Sequence, residues 1–268
     1  MNSMIPRTIW TCWWQGEAQA PALVRACLES WSHCNPGWKV NVIDRTSVSE
    51  LGLTFPLAAQ PDQIPIQAFS DVLRIGLLKA HGGVWVDASL LCRMPLDNWL
   101  HRGINRSGFF AFHAPGPDRP LSSWFLAAAP ANQIVSQWHH DVFEYWSGAP
   151  RTLSEKPCRL LIETSSALTD LAKLDPGIYP YFWFHYIFRN MCRTHQEIEA
   201  EWQNTPKMSA DFPHTLHWLG LSAPAGEELL RYWRGGVSPV YKLDWRAEYP
   251  SASGGSVLDY VLDRANWV

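Results

Sequence analysis

The chain has 268 residues, 47% of them hydrophobic and 18% charged, with a formal net charge of −3 at pH 7. That length and apolar content suit one large domain with a substantial core, and the scattered Lys and Arg residues exclude the basic field that nucleic acid binding requires. Six cysteines without C-x-x-C spacing exclude both a disulfide scaffold and a cysteine-based metal site, and read as reduced thiols.

Thr8–Cys12 reads as a first strand after Pro6, opening into Trp13, Trp14, Gln15 and Gly16. Ala22–Cys34 carries Leu23, Val24, Cys27, Leu28 and Trp31 at helical spacing and is stopped by Asn35-Pro36-Gly37. Lys39–Ile43 alternates as a second strand, so the chain opens with a strand, helix, strand unit of parallel character. The segment from Arg45 to Pro65 is irregular and leads into a helix over Gln67–Ala80, on which Asp71 and Arg74 share a face. Gly82-Gly83 ends that helix, Val84-Trp85-Val86 reads as a short buried strand, and Asp87 falls at its carboxyl end, the edge of an open α/β sheet where ligands bind.

Pro95–Trp99 reads as a turn, Gly108–His113 and Ser123–Ala129 as strands, and Asn132–Tyr145 as a helix. Thr152–Leu174 reads as helical, and Tyr181–Trp202 as one long aromatic helix. A helix near Gly226–Trp233, a strand over Pro239–Leu243 and a last helix near Ser256–Asn266 complete the chain. The expectation is a single domain over residues 1–268, sheet-forming through 1–130 and mostly helical through 131–268.

The start MNSMIPRTIW lacks a charged region followed by an apolar run, and no stretch approaches the roughly 18 apolar residues of a spanning helix. The expected location is cytoplasmic. Sixteen tryptophans supply flat apolar faces that stack on the C–H faces of sugars and also fill core space. H-E-x-x-H, G-x-S-x-G, P-loop and G-x-G-x-x-G patterns are missing, so zinc hydrolase, serine hydrolase, NTPase and dinucleotide dehydrogenase readings lack their mechanical parts.

The blocks IPRTIWTCWWQG, APALVRACLESW with NPGWKVNVID, SD-x-x-R, GGVWVDAS, YFWFHYIF, and SPVYKL with GSVLDY together span nearly the whole chain. In this order they resemble the capsular-polysaccharide-synthesis glycosyltransferases, related to glycosyltransferase family 32, and more distantly the sugar-transferring domains of large clostridial toxins. The resemblance implies an α/β fold of GT-A type: a Rossmann-like nucleotide-sugar-binding sheet flanked by helices, with a helical C-terminal half. It implies transfer of a sugar, with retention, from a nucleotide-sugar donor (a UDP-sugar) to a capsular polysaccharide, O-antigen or other cell-envelope glycan. A lipid-linked acceptor would bring the protein to the inner face of the cytoplasmic membrane. A toxin- or effector-like protein glycosyltransferase and a non-catalytic sugar- or nucleotide-binding module are the alternatives.

The same resemblance assigns site residues. Trp13 or Trp14 would stack on the nucleobase, and Asp71 and Arg74 would hold the donor sugar and its phosphate side. Asp87 matches the first acid of a D-x-D motif, but the third position is Ser89, so a divalent cation (Mg²⁺ or Mn²⁺) held through Asp87 and a metal-independent site both stay open. Lys242, with Ser238 as a hydroxyl donor, would face the diphosphate. Apart from the resemblance, the aromatics around His185, Tyr186 and His217 fit a sugar-binding wall on the acceptor side, although a core histidine is an equal reading of either imidazole.

Overall fold

A computed structural model describes residues 4–104, 107–148, 152–154, 178–246 and 255–267. In chain order its elements are β1 (Thr8–Cys12), α1 (Ala22–Cys34), β2 (Lys39–Ile43), α2 (Ile66–His81), β3 (Gly83–Val86), β4 (Leu90–Cys92), α3 (Leu96–Ile104) and β5 (Phe109–Gly116). There follow β6 (Arg119–Ala128), α4 (Gln133–Trp146), β7 (Thr152–Ser154), β8 (Ile178–Pro180), α5 (Trp183–Thr194), α6 (Gln196–Gln203), α7 (Thr215–Leu219), α8 (Glu227–Arg234), β9 (Val240–Lys242) and α9 (Val257–Leu262). The fold is α/β, with parallel and antiparallel strand pairs and helices packed on them. It divides into two compact units: Met1–Pro6, Ser49–Trp85 and Ile104–Met208 form the first, and Arg7–Val48, Val86–Gly103 and Ser209–Val268 the second.

In the first unit β6 lies between β3 and β5. Strands β5 and β6 are antiparallel, with Phe109 opposite Ala128 and His113 opposite Leu121. Residues Phe109–Phe112 and Leu121–Ala128 are buried without interruption, the pattern of strands covered on both faces rather than half-exposed. The helices α2, α4 and α5 supply apolar cover; Trp138 stacks on Phe184 at 4.0 Å, and its indole N–H donates to the Phe184 carbonyl at 3.2 Å. Asn132 caps α4 by accepting from the Val135 N–H at 3.2 Å. Gly82 ends α2 at φ 64°, and a Cβ there would stand 2.9 Å from the Ala128 carbonyl oxygen, so only glycine fits.

The second unit opens with β1 and β2 in parallel, Thr8 opposite Lys39 and Cys12 opposite Ile43, connected through α1. One face of α1 (Leu23, Val24, Cys27, Leu28) packs into a core with Leu91, Trp233, Tyr241, Leu243 and Trp267. Strands β4 and β9 form an antiparallel pair, Leu90 opposite Lys242 and Cys92 opposite Val240. Trp31 of α1 donates its indole N–H to the Leu90 carbonyl at 2.8 Å, which ties this ribbon to the helix.

Several expectations need correction. Pro95–Trp99 is not a turn: Leu96 begins α3, its N–H is accepted by the Asn35 side chain at 2.7 Å, and Leu96, Trp99 and Leu100 are buried on one side. Thr152–Ser154 is not helical but a strand, parallel to Ile178–Pro180; the rest of the helix expected up to Leu174 lies outside the described residues. The long aromatic helix breaks at His195, whose extended backbone (φ −122°, ψ 97°) ends α5 and starts α6. The last helix stops at Leu262, after which Asp263 caps a separate short turn over Arg264–Asn266. Cys12, Cys27, Cys34, Cys92 and Cys192 are free thiols, and Cys158 is outside the described residues. Among the described residues no helix is long and apolar enough to cross a membrane.

Candidate functional site

The second unit gathers a charged cluster where β3 ends. Asp87 follows that strand directly, and its carbonyl accepts from the Leu90 N–H at 2.9 Å, a tight turn that sets Asp87 and Ser89 beside each other. Pairing of β4 with β9 then brings Lys242 opposite Leu90, and the Leu243 N–H donates to the Ser89 carbonyl at 3.0 Å. The Lys242 ammonium donates to Asp87 Oδ2 at 2.9 Å and to Ser89 Oγ at 2.8 Å. The Lys242 and Asp87 side chains are 21% and 27% exposed, so the pair is screened less than a surface ion pair while staying open to a ligand. Three sequence-predicted residues thus meet at one ammonium group. Ser238 has a different place: it is fully buried and its hydroxyl donates to the Val240 carbonyl at 2.6 Å, fixing the entry to β9.

The same unit carries Trp13, Trp14 and Trp245. The Trp13 N–H donates to the Ile43 carbonyl at 2.9 Å, and the Trp13 ring meets Trp245 edge to face at 5.1 Å. Trp245, three residues beyond Lys242 and 38% exposed, stands in no sequence motif. Trp14 is half-buried, and its carbonyl accepts from the Arg45 N–H at 3.2 Å. A short turn, Phe212–His214, packs on β9. His214 Nδ1 lies 2.7 Å from the Ala210 carbonyl; burial lowers its pKa, as do His217 and Lys242, against that backbone bond. The sequence signal for His214 is its place between Phe212 and His217 in FPHTLH. His217 is exposed, 6.2 Å from His214 ring to ring.

In the first unit Asp71 and Arg74 lie on α2, one turn apart, and meet at 3.2 Å. Arg74 is 5% exposed and its guanidinium is used within the fold: Nη1 donates to the Ser123 carbonyl at 2.7 Å, Nε to the Ser70 carbonyl at 3.2 Å, and Nη2 to Ser70 Oγ at 3.3 Å. The Trp85 and Phe184 rings cover it at 5.1 and 5.8 Å. Such a cation holds Asp71, the more exposed of the two side chains (14%), in a fixed orientation. His185 and Tyr186 are both buried; the Tyr186 hydroxyl donates to Asp118 Oδ2 at 2.8 Å, and Arg119 pairs with the same carboxylate at 3.2 Å. Tyr186 therefore closes a core hydrogen bond.

Residues 1–155 and 152–261 match the family described as capsular polysaccharide synthesis protein. The chain is 26% identical over 162 residues to "O-glycosyltransferase braB" of Annulohypoxylon truncatum, covering 53% of this chain and 38% of that protein. It is 28% identical over 161 residues to "Glycosyltransferase afumC" of Aspergillus fumigatus, covering 53% and 41%. The chain thus spans about two fifths of the length of the curated relatives it matches. Among solved structures, "PaToxG Glycosyltransferase" superposes with a TM-score of 0.42 at 16% identity, covering 74% of each chain.

Proposed function

The chain belongs to the capsular polysaccharide synthesis protein family, and from that premise we propose that it is a glycosyltransferase of GT-A type, moving a sugar from a nucleotide-activated donor to a cell-envelope glycan. The observation that carries this reading is the Asp87, Ser89 and Lys242 cluster, a carboxylate, a hydroxyl and an ammonium fixed at a strand's carboxyl end, where α/β folds bind ligands. The two curated relatives named as glycosyltransferases support it.

In this reading the donor is a UDP-sugar and the product retains the anomeric configuration. The chemistry asks the protein for orientation and for positive charge where the diphosphate leaves. Lys242 supplies that charge, and Asp87 sets the ammonium and meets the ribose. Trp13, with Trp245 at its edge, provides the flat surface for the base, and Trp14 borders it. Asp71 accepts from hydroxyls of the donor sugar, with Arg74 positioning it rather than meeting the phosphate itself. Of the three acceptor-side candidates, His217 is exposed and faces the acceptor, whereas His185 and Tyr186 support from within. The acceptor is a capsular, O-antigen or related glycan, met in the cytoplasm at the inner membrane face.

The test is nucleotide release from a panel of UDP-, GDP-, CMP- and dTDP-sugars, with and without Asp87→Asn. Release from one donor that Asp87→Asn abolishes, with the variant still folded by circular dichroism, supports the reading. Nucleotide binding without turnover of any donor, in the presence of envelope glycan extracts, would instead identify a non-catalytic binding module.

A further inference from the structure

A D-x-D segment ordinarily presents two carboxylates to one divalent ion, with phosphate and water completing the shell. The residues of this chain do not fit that group. The third motif position carries a neutral hydroxyl, Ser89, and no group of three or more His, Cys, Asp or Glu residues among those described is placed to hold a metal ion. More tellingly, the two oxygens that would face the ion, Asp87 Oδ2 and Ser89 Oγ, both accept from the same Lys242 ammonium, at 2.9 and 2.8 Å.

This is a built contact. Lys242 lies on β9 in antiparallel register with β4, Leu243 binds the Ser89 backbone, and Tyr241 and Leu243 on either side of Lys242 are anchored in the unit's core. The backbone of both strands therefore fixes where the ammonium stands. An ammonium has three N–H donors, of which Asp87 and Ser89 take two, leaving one for a phosphate oxygen. A divalent ion entering between the same oxygens would have to expel a like charge and recover only one carboxylate.

We propose that the Lys242 ammonium is the resident cation of this site, standing between Asp87 and Ser89 where a divalent ion would otherwise sit, so that the chain handles a nucleoside diphosphate without a metal ion. The inference rests on the reading that this cluster meets the donor's diphosphate, but its test does not depend on transfer.

The measurement is Mn²⁺ binding, followed by electron paramagnetic resonance of the free ion, to the full chain with and without saturating UDP, with UDP alone as the reference. Wild type and Asp87→Asn are expected to take up Mn²⁺ equally weakly. Lys242→Met is expected to acquire one Mn²⁺ per chain, bound about tenfold more tightly than by wild type and lost again in the Lys242→Met, Asp87→Asn double variant. A wild-type Mn²⁺ site whose affinity falls tenfold or more in Asp87→Asn overturns the proposal, and that comparison stands even where Lys242→Met does not fold. A folded Lys242→Met that gains no Mn²⁺ also overturns it, because the ammonium would then not be holding a metal's place. Failure to bind UDP would count against the donor-site reading alone, since the Mn²⁺ comparison is also read on nucleotide-free protein.

Discussion

Lys242 and Asp87 lie 155 positions apart in the chain and 2.9 Å apart in space. The contact follows from two backbone facts: Asp87 heads the tight turn into β4, and β9 pairs with β4 so that Lys242 falls opposite Leu90. A displacement of β9 by one residue would turn Lys242 to the other face of the ribbon and dismantle the cluster.

Charge alone should not satisfy this geometry. Lys242→Arg keeps the positive charge but replaces a compact ammonium with a planar fork, which cannot meet Asp87 Oδ2 and Ser89 Oγ in the same way. The expected outcome is a loss of about tenfold or more in turnover, with the unfolding midpoint little changed; Lys242→Ala should lose about a hundredfold. Steady-state nucleotide release checks both, and a Lys242→Arg enzyme as fast as wild type would show that only net charge matters.

Arg74 gives a different expectation, because its guanidinium is committed to the fold. Lysine at this position cannot reach the Ser123 carbonyl, the Ser70 carbonyl and Asp71 from one nitrogen. Arg74→Lys should therefore destabilise the protein by about 2–4 kcal/mol, the range for breaking a buried, hydrogen-bonded charge network. Urea denaturation measures this, and a shift under about 0.5 kcal/mol would mean that the network contributes little.

Much of this was legible in the sequence, for physical reasons that differ by segment. The Gly82-Gly83 stop, the apolar stripe of α1 and the β-branched run before Asp87 are local signals, set by steric limits and by periodicity, and the structure has all three. The errors fell where distant residues decide. Pro95–Trp99 resembles a turn until Asn35, some sixty residues earlier, caps Leu96 and lets α3 begin. His195 interrupts an aromatic pattern that has no proline or glycine to announce the break. Asp71, Asp87 and Lys242 each stand in a family-like motif of the sequence. The inward commitment of Arg74 and Ser238, and the places of Trp245 and His214, depend on tertiary packing that no motif encodes.

Acid should weaken the first unit in a defined window. His113 stacks on Trp202 at 4.3 Å, and burial, aided by the Lys207 charge, lowers its pKa to about 4; burial lowers His139 to about 4 as well. Between pH 6.5 and 4 the unfolded chain binds protons at these rings that the folded chain does not, so stability is full above pH 6.5 and is lost as the pH falls toward 4. His113→Phe keeps a stacked ring without a titrating nitrogen and should flatten part of that slope. Urea midpoints at half-unit pH steps are the check, and identical slopes in variant and wild type would remove His113 as a source of the acid sensitivity.

Gly82 is the position at which a single methyl group should matter most. It ends α2 with φ at 64°, and the added Cβ would stand 2.9 Å from both the Ala128 carbonyl oxygen and the Pro130 nitrogen. Both neighbours are backbone, one at the end of β6 and one just beyond it, so neither gives way as a flexible side chain would. Gly82→Ala therefore meets two penalties, about 1 kcal/mol for a left-handed backbone at a non-glycine residue and a further steric term of about 1–3 kcal/mol. The total should lower the thermal midpoint by several degrees, since roughly 1 kcal/mol shifts a domain of this size by about 2–4 °C. An alanine variant that melts with wild type would show that α2 and β6 separate freely at this corner, whereas the expected loss would place the turn before Asp87 among the fixed points of the fold.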